Sequence, residues 1–152
     1  DVAVAGYPET HVEATSPEAD LAHLKTKVDA GASIVVTQLY YDNADYLRFR
    51  DRCSAIGIRV PIVPGVLPVT GLTQIRRITS MCGARMPAAF LADLEARIDD
   101  PDGQFEVGVE YAARQVEELV REGCPGIHFY VLNKSRATSR ILRDLTFPET
   151  VP

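Results

Sequence analysis

The sequence predicts an α/β fold on parallel strands, about half of a (β/α)8 TIM barrel, made of its last four strand–helix units. Three observations predict it. Short apolar, β-branched runs alternate along the chain with segments of helical period. The runs are apolar on both faces, as strands of a parallel sheet covered from both sides must be. Each run ends in polar or turn-forming residues, namely Tyr7, Gln38, Pro64-Gly65, and Tyr130 with Asn133-Lys134, and none is followed by GxGxxG. An open doubly wound sheet and a barrel are the two architectures such alternation builds. The missing glycine fingerprint counts against a dinucleotide-binding sheet, and a barrel gathers its active site at the C-terminal strand ends. A full barrel takes about 250 residues, so 152 residues supply roughly half.

The elements follow in order. Val2 to Ala5 is the first strand, ending at Gly6. Ser16-Pro17-Glu18 opens a helix. The serine hydroxyl accepts from a free first-turn N–H, proline lacks the donor that would go unpaired there, and the acid meets the positive end of the helix dipole. Leu21, Leu24 and Val28 share its face, and Gly31 closes it. Ile34 to Leu39 is the second strand; Asp42 or Asn43 then caps a helix carrying Tyr46, Phe49, Cys53 and Ile56, closed by Gly57. Arg59 to Val63 is the third strand, with Pro64-Gly65 as the turn beyond it. Thr70 is expected to cap the helix of Leu72, Ile75, Ile78 and Cys82, ended by Gly83; Pro87 opens an additional helix with Phe90, Leu91 and Leu94. Asp99 to Gly103 reads as a loop before a long helix bearing Phe105, Val109, Ala112, Val116 and Leu119, closed by Gly123. Ile127 to Leu132 is the fourth strand, and Ala137, Ile141 and Leu145 mark the last helix. Residues 1–145 form the domain and 146–152 a tail. A chain that enters a strand directly after Asp1 is expected to be part of a longer protein, and two unpartnered strand edges are expected to make it associate when isolated.

Composition excludes several classes. With 46% hydrophobic and 24% charged residues the chain is that of an ordinary soluble domain. A net charge of -5 offers no field for nucleic acid or anionic lipid. There is no apolar run of membrane-spanning length and no charged-then-apolar leader. Cys53, Cys82 and Cys124 lie far apart with no CxxC, so neither a disulfide framework nor a zinc site is expected, and reduced thiols packed in helices fit a cytoplasmic location.

Four groups of residues carry candidate chemistry. Tyr7 and His11, just past the first strand, can stack on a flat cofactor and bond its edge, or simply pack the loop; His11 and Glu13 alone make too small a set for a metal. Asp20, His23, Thr26 and Lys27 fall on neighbouring turns of one helix face, offering a carboxylate for ribose hydroxyls and an ammonium for phosphate, or else a solvated face. Gln38 ends an apolar strand, where its amide bonds a heterocycle or is satisfied by backbone. Lys134 and Tyr130 end the last strand: the lysine pairs with an anion, forms a Schiff base if buried, or reaches solvent. His128 reads as a satisfied core histidine.

The stretches AGYPETH, EADLAHLKTKVDAGAS, VVTQLYYD, YLRFRDRC, PIVPGVLPV and HFYVLNKS occur in this order. Together they resemble the methylenetetrahydrofolate reductase family, to about Leu145. The resemblance implies units five to eight of a barrel holding non-covalent FAD. It also implies reduction of methylenetetrahydrofolate to methyltetrahydrofolate in one-carbon metabolism, with NAD(P)H reducing the flavin, in a full-length homo-oligomer. By resemblance Tyr7, Asp20, His23, Thr26 and Lys27 match flavin-contacting positions, with His11 an addition. Gln38 and Gln74 match folate-binding positions, Ile78 an apolar position beside the substrate ring, and Lys134 a basic position after the last strand, with Tyr130 in the same pocket.

Two residues depart from the pattern. Lys134 stands where arginine is expected, which keeps the charge but loses the bidentate fork. His23 stands where asparagine is expected. The family's general acid, a glutamate, and an aspartate near the flavin would both precede Asp1, so no catalytic residue is expected in this chain. A lyase using Lys134 as a Schiff-base amine, and a barrel half that acts only by pairing, are the alternative readings.

Overall fold

A computed structural model of the chain describes residues 1–145; the expected tail at 146–152 lies outside them. The element order is β1 (Ala3–Gly6), α1 (Pro17–Asp29), β2 (Ile34–Thr37), α2 (Asn43–Ala55), β3 (Ile62–Val63), β4 (Gly65–Val66), α3 (Leu72–Cys82), α4 (Ala88–Glu95), α5 (Pro101–Arg121), β5 (His128–Phe129) and α6 (Arg136–Asp144). It is a mixed α/β fold with every strand pairing parallel. β1 pairs β2 from Ala3↔Ile34 to Gly6↔Thr37, β2 pairs β3 at Val35↔Ile62 and Val36↔Val63, and β4 pairs β5 at Gly65↔His128 and Val66↔Phe129.

The third strand ends at Val63, as the sequence suggested, but Pro64-Gly65 is not a turn beyond it, since Gly65 opens β4. Pro64 has no N–H to give a ladder, but its carbonyl accepts from the His128 amide at 2.9 Å. The chain therefore leaves the β2 ladder at β3 and joins β5 at β4, with Pro64 as the junction. The last strand is also shorter than Ile127 to Leu132. Leu132 and Asn133 have φ of 45° and 61°, and Lys134 N–H donates to the Val131 carbonyl at 2.7 Å. That turn, left-handed at both centres, ends the pairing. His128 is not a core residue: it is exposed, its ring edge-on to Tyr130 at 4.7 Å.

Two helices begin where their local sequence signals place them. Ser16 Oγ accepts from Ala19 N–H at 3.1 Å, and Asp42 Oδ1 from Ala44 N–H at 2.9 Å. The loop expected at Asp99 to Gly103 is instead the start of α5: Asp100 Oδ1 accepts from Gly103 N–H at 2.9 Å, and Pro101 takes the first helical position. Thr70 does not cap α3; its hydroxyl donates to Gln74 Oε1 at 3.2 Å. The free Leu72 N–H goes to Gln104 Oε1 at 2.7 Å, so a buried glutamine of α5 caps α3 from outside.

Two apolar clusters hold the layers. Leu24, Val35, Tyr46, Phe49, Cys53, Val66, Val109, Val116, Leu119 and Ile141 pack the strands against α1, α2, α5 and α6. Leu39, Tyr41, Leu67, Val69, Leu72, Ile75, Phe90 and Leu94 seat α3 and α4 beside the C-terminal strand ends. Each fully buried large side chain contributes about 1.5–3 kcal/mol. Gly108 of α5 is where the clusters meet closely: a Cβ there would sit 1.8 Å from the Val69 carbonyl oxygen. Cys53 is buried in α2, Cys82 ends α3 and Cys124 follows α5; all are free thiols. Among the described residues β1 pairs only with β2 and β5 only with β4, and no helix is long and apolar enough to cross a membrane.

Candidate functional site

The C-terminal ends of the parallel strands carry the candidate residues. Past Gly6 the chain makes a tight turn, Thr10 N–H donating to the Tyr7 carbonyl at 3.2 Å, with Pro8 inside it. His11 N–H then donates to Asp20 Oδ2 at 2.9 Å, tying the loop to α1. His11 Nδ1 accepts from Glu13 N–H at 3.1 Å. The Tyr7 and His11 rings meet edge to face at 4.6 Å. Burial, and then the nearby Asp20 carboxylate, push the Tyr7 hydroxyl up from its ordinary range, so it stays protonated.

Asp20, His23, Thr26 and Lys27 project from α1 beside this loop, the last three exposed. With Tyr7 and His11 they line one open cavity of about 590 Å³, so all six expected flavin-contacting residues come together. Besides Asp20 and His11, two more of these polar groups have internal partners: Thr26 Oγ1 donates to Ala22 O at 3.0 Å, and Lys27 Nζ to Ala5 O at 2.7 Å. The Ala5 carbonyl faces away from β2, on the edge of β1 that has no ladder partner among the described residues.

A second cavity, of about 330 Å³, shares Tyr7 and His11 with the first and adds Gln38, Ile78, Val12 and Met81. A third is tight, about 20 Å³, and shares Ile78 with the second while adding Gln74, Tyr130 and Lys134. The three thus run side by side, with Tyr7 and His11 as one shared wall and Ile78 as the other. Gln38 Oε1 accepts from Leu39 N–H at 2.9 Å. Its amide nitrogen has no acceptor among the described residues and can donate to a ligand. Gln74 and Lys134 are exposed, and Lys134 lacks the apolar enclosure a Schiff-base amine needs. Tyr130 is a wall more than a free ligand group: its hydroxyl donates to the Thr37 carbonyl at 2.9 Å. The described residues contain no group of three metal-ligating side chains.

Sequence reading missed three contributors. Val12 and Met81 are exposed apolar residues on the rim of the second cavity, and Leu132 on that of the third. Val12 and Leu132 are single apolar residues in loops, and Met81 lies off the apolar face of α3, so none belongs to a pattern that sequence shows. It also missed the contact of Glu9, between Tyr7 and His11, with Arg85, which is 76 residues away.

The chain is similar to known proteins in sequence and in fold. Residues 1–146 match the family model described as methylenetetrahydrofolate reductase. The chain is 43% identical over 145 residues to a 5,10-methylenetetrahydrofolate reductase of Pectobacterium carotovorum subsp. carotovorum, covering 95% of this chain and 49% of that one. The Escherichia coli (strain K12) protein of the same name gives the same identity and coverage. A methylenetetrahydrofolate reductase (NADH) 1 of Arabidopsis thaliana is 38% identical, covering 95% of this chain and 26% of that one. The chain spans about half the length of the bacterial relatives it matches. In structure it is similar to an uncharacterized protein from Clostridium thermocellum that binds two copies of 5-methyl-5,6,7,8-tetrahydrofolic acid. The TM-score is 0.58 at 18% identity, over 92% of this chain and 50% of that one, a likeness of fold.

Proposed function

The chain belongs to the methylenetetrahydrofolate reductase family, and from that premise we propose that the full-length protein reduces 5,10-methylenetetrahydrofolate to 5-methyltetrahydrofolate, with FAD as the bound cofactor and NAD(P)H as the reductant. This chain then contributes four consecutive units of a (β/α)8 barrel, working in the cytoplasm as part of a homo-oligomer. One observation carries the reading: the residues at flavin positions and those at folate positions line adjoining cavities that share Tyr7, His11 and Ile78. A hydride donor and its acceptor must lie in such contact. The relative named for NADH supports a nicotinamide reductant.

The residues of the larger cavity fit part of FAD. The cavity is of ordinary ligand size, and its donor set combines a half-buried aromatic ring, a carboxylate and an ammonium. Tyr7 and His11 would wall the ring system, Asp20 would accept from ribose hydroxyls, and Lys27 would offset phosphate charge. When bound and once reduced by NAD(P)H, the flavin would supply the hydride that reduces the methylene carbon. Gln38 donates its free amide N–H to the folate heterocycle and orients it. Ile78 keeps water from the shared wall, and Lys134 pairs with the anionic part of the substrate as a point charge. The proton that opens the five-membered ring is assigned to no residue of this chain. The exposed position of Lys134 gives no support to a lyase.

The test is purification of the full-length protein followed by gel filtration and assay. Flavin that travels with the protein, and methyltetrahydrofolate formed from methylenetetrahydrofolate and a nicotinamide nucleotide, are the expected results. A colourless protein without that turnover would refute the proposal.

A further inference from the structure

We propose that Arg85 is a positioning residue for the cofactor site: by binding Glu9 it fixes the β1–α1 loop that carries Tyr7 and His11. The proposal rests on the flavin reading of that loop. Glu9 lies between the two aromatic residues, and its side chain is only 9% exposed. Its carboxylate accepts from the Arg85 backbone N–H at 3.1 and 3.3 Å and from Arg85 Nε at 2.9 Å. The same guanidinium reaches Asp45 Oδ1 through Nη2 at 3.4 Å. Asp45, also 9% exposed at its side chain, is shared with Arg48. Carboxylates that deep are unfavourable unless paired, and Arg85 is the partner common to both. One side chain thus joins the loop to the first turn of α2 and to the connection after α3.

Two further contacts press the loop the same way. Val12 sits against Gly83, where a Cβ would come 2.7 Å from Val12 Cγ1. Arg52 Nη2 donates to the Pro8 carbonyl at 3.3 Å. Between them Thr10 is held at φ 78°, a left-handed conformation that threonine avoids unless its surroundings impose it. Arg85 lines neither of the cavities that Tyr7 and His11 wall. Its effect on a ligand there therefore passes through Glu9. An arginine that only stabilised the fold would alter melting, not ligand retention.

The test uses the full-length flavin-loaded protein and follows flavin loss on dilution. Arg85→Gln and Glu9→Gln should each speed loss about five-fold, as expected for a charge-assisted bond open to solvent on one side. The double variant should be no faster than the quicker single, because both remove one interaction. Arg85→Lys should recover part of the loss, keeping the charge without the fork. The melting temperature of the flavin-free protein should stay within about 2 °C in Glu9→Gln, which removes the buried charge, and should fall in Arg85→Gln, which leaves that charge without its partner. Unchanged flavin loss in Arg85→Gln, additive effects in the double variant, or flavin loss that merely tracks melting would each overturn the proposal. If the wild-type protein binds no flavin, the functional reading falls and this inference with it. If the wild type binds flavin and Arg85→Gln holds it equally well, only the inference falls.

Discussion

The Tyr130 hydroxyl donates to the Thr37 carbonyl at 2.9 Å, so a residue from just past β5 reaches over β4 to the end of β2. Gly65 lies beneath that bond. Its N–H donates to Thr37 Oγ1 at 2.9 Å, and a Cβ on it would sit 2.3 Å from the Thr37 carbonyl oxygen and 2.7 Å from Tyr130 Cε2. Gly65→Ala should therefore destabilise the full-length protein by about 3 kcal/mol, since neither contact can yield without opening the strand ends. Tyr130→Phe should cost about 1 kcal/mol, one hydrogen bond. Denaturant unfolding measures both; a neutral Gly65→Ala would mean that the strands stand further apart.

Gln104 should matter to the folate half of the site although it touches none of its cavities. Besides capping Leu72 N–H, it donates to the Arg97 carbonyl at 2.9 Å and the Ile98 carbonyl at 3.2 Å. Gln104→Leu would leave the buried Leu72 N–H unpaired at about 2 kcal/mol and loosen the start of α3, which bears Gln74 and Ile78. The expected outcome is lower stability together with a raised folate KM, read from unfolding and steady-state kinetics on one preparation.

Gln38 and Lys27 should separate the two halves of the site. Gln38→Ala should raise the folate KM or lower turnover by an amount worth about 0.5–1.5 kcal/mol, with flavin still bound. Lys27→Ala should speed flavin loss a few-fold, about 1 kcal/mol for an exposed charge on phosphate, with folate KM unchanged. Flavin retention and folate kinetics on each variant decide this, and crossed effects would contradict the assignment of two adjoining half-sites.

Alkaline pH should unfold the protein steeply. Burial pushes the Cys53 thiol from 9.0 up to about 12 and the Tyr46 hydroxyl from 10.0 up to about 12, and it raises Tyr40 and Tyr41 in the same direction. Above the unfolded-state pKa values the folded state binds more protons than the unfolded one, so stability falls as pH rises. The contribution is whole below about pH 9 and is lost as pH climbs through about 12. Tyrosinate absorbance and far-UV circular dichroism should change together; tyrosines that ionise near pH 10 with the helices intact would contradict the burial.

How far the fold could be read follows from how local each signal is. Ser16-Pro17 and Asp42 announce helix starts within a few residues, and those readings hold. The six residues around the larger cavity lie between Tyr7 and Lys27, so one loop and one helix suffice to gather them. What stayed hidden spans the chain. The capping of α3 by Gln104 reaches 32 residues and the Glu9–Arg85 contact 76, and neither leaves a mark on nearby sequence. The Asp99 to Gly103 stretch misled because Asp, Pro and Gly also make turns; here Asp100 uses that chemistry to begin α5. Pro64-Gly65 misled because that pair usually makes a turn, while here the Pro64 carbonyl holds β5.

Rapid anaerobic mixing tests most directly the claim that the two sets of residues form one reducing site. The full-length protein, with its flavin reduced by a nicotinamide nucleotide, is mixed with methylenetetrahydrofolate while the flavin absorbance is followed. Reoxidation of the flavin at a rate that saturates with folate, yielding one methyltetrahydrofolate per flavin, is the predicted result. A flavin that stays reduced in the presence of saturating folate would show that the adjoining cavities do not pass a hydride between them.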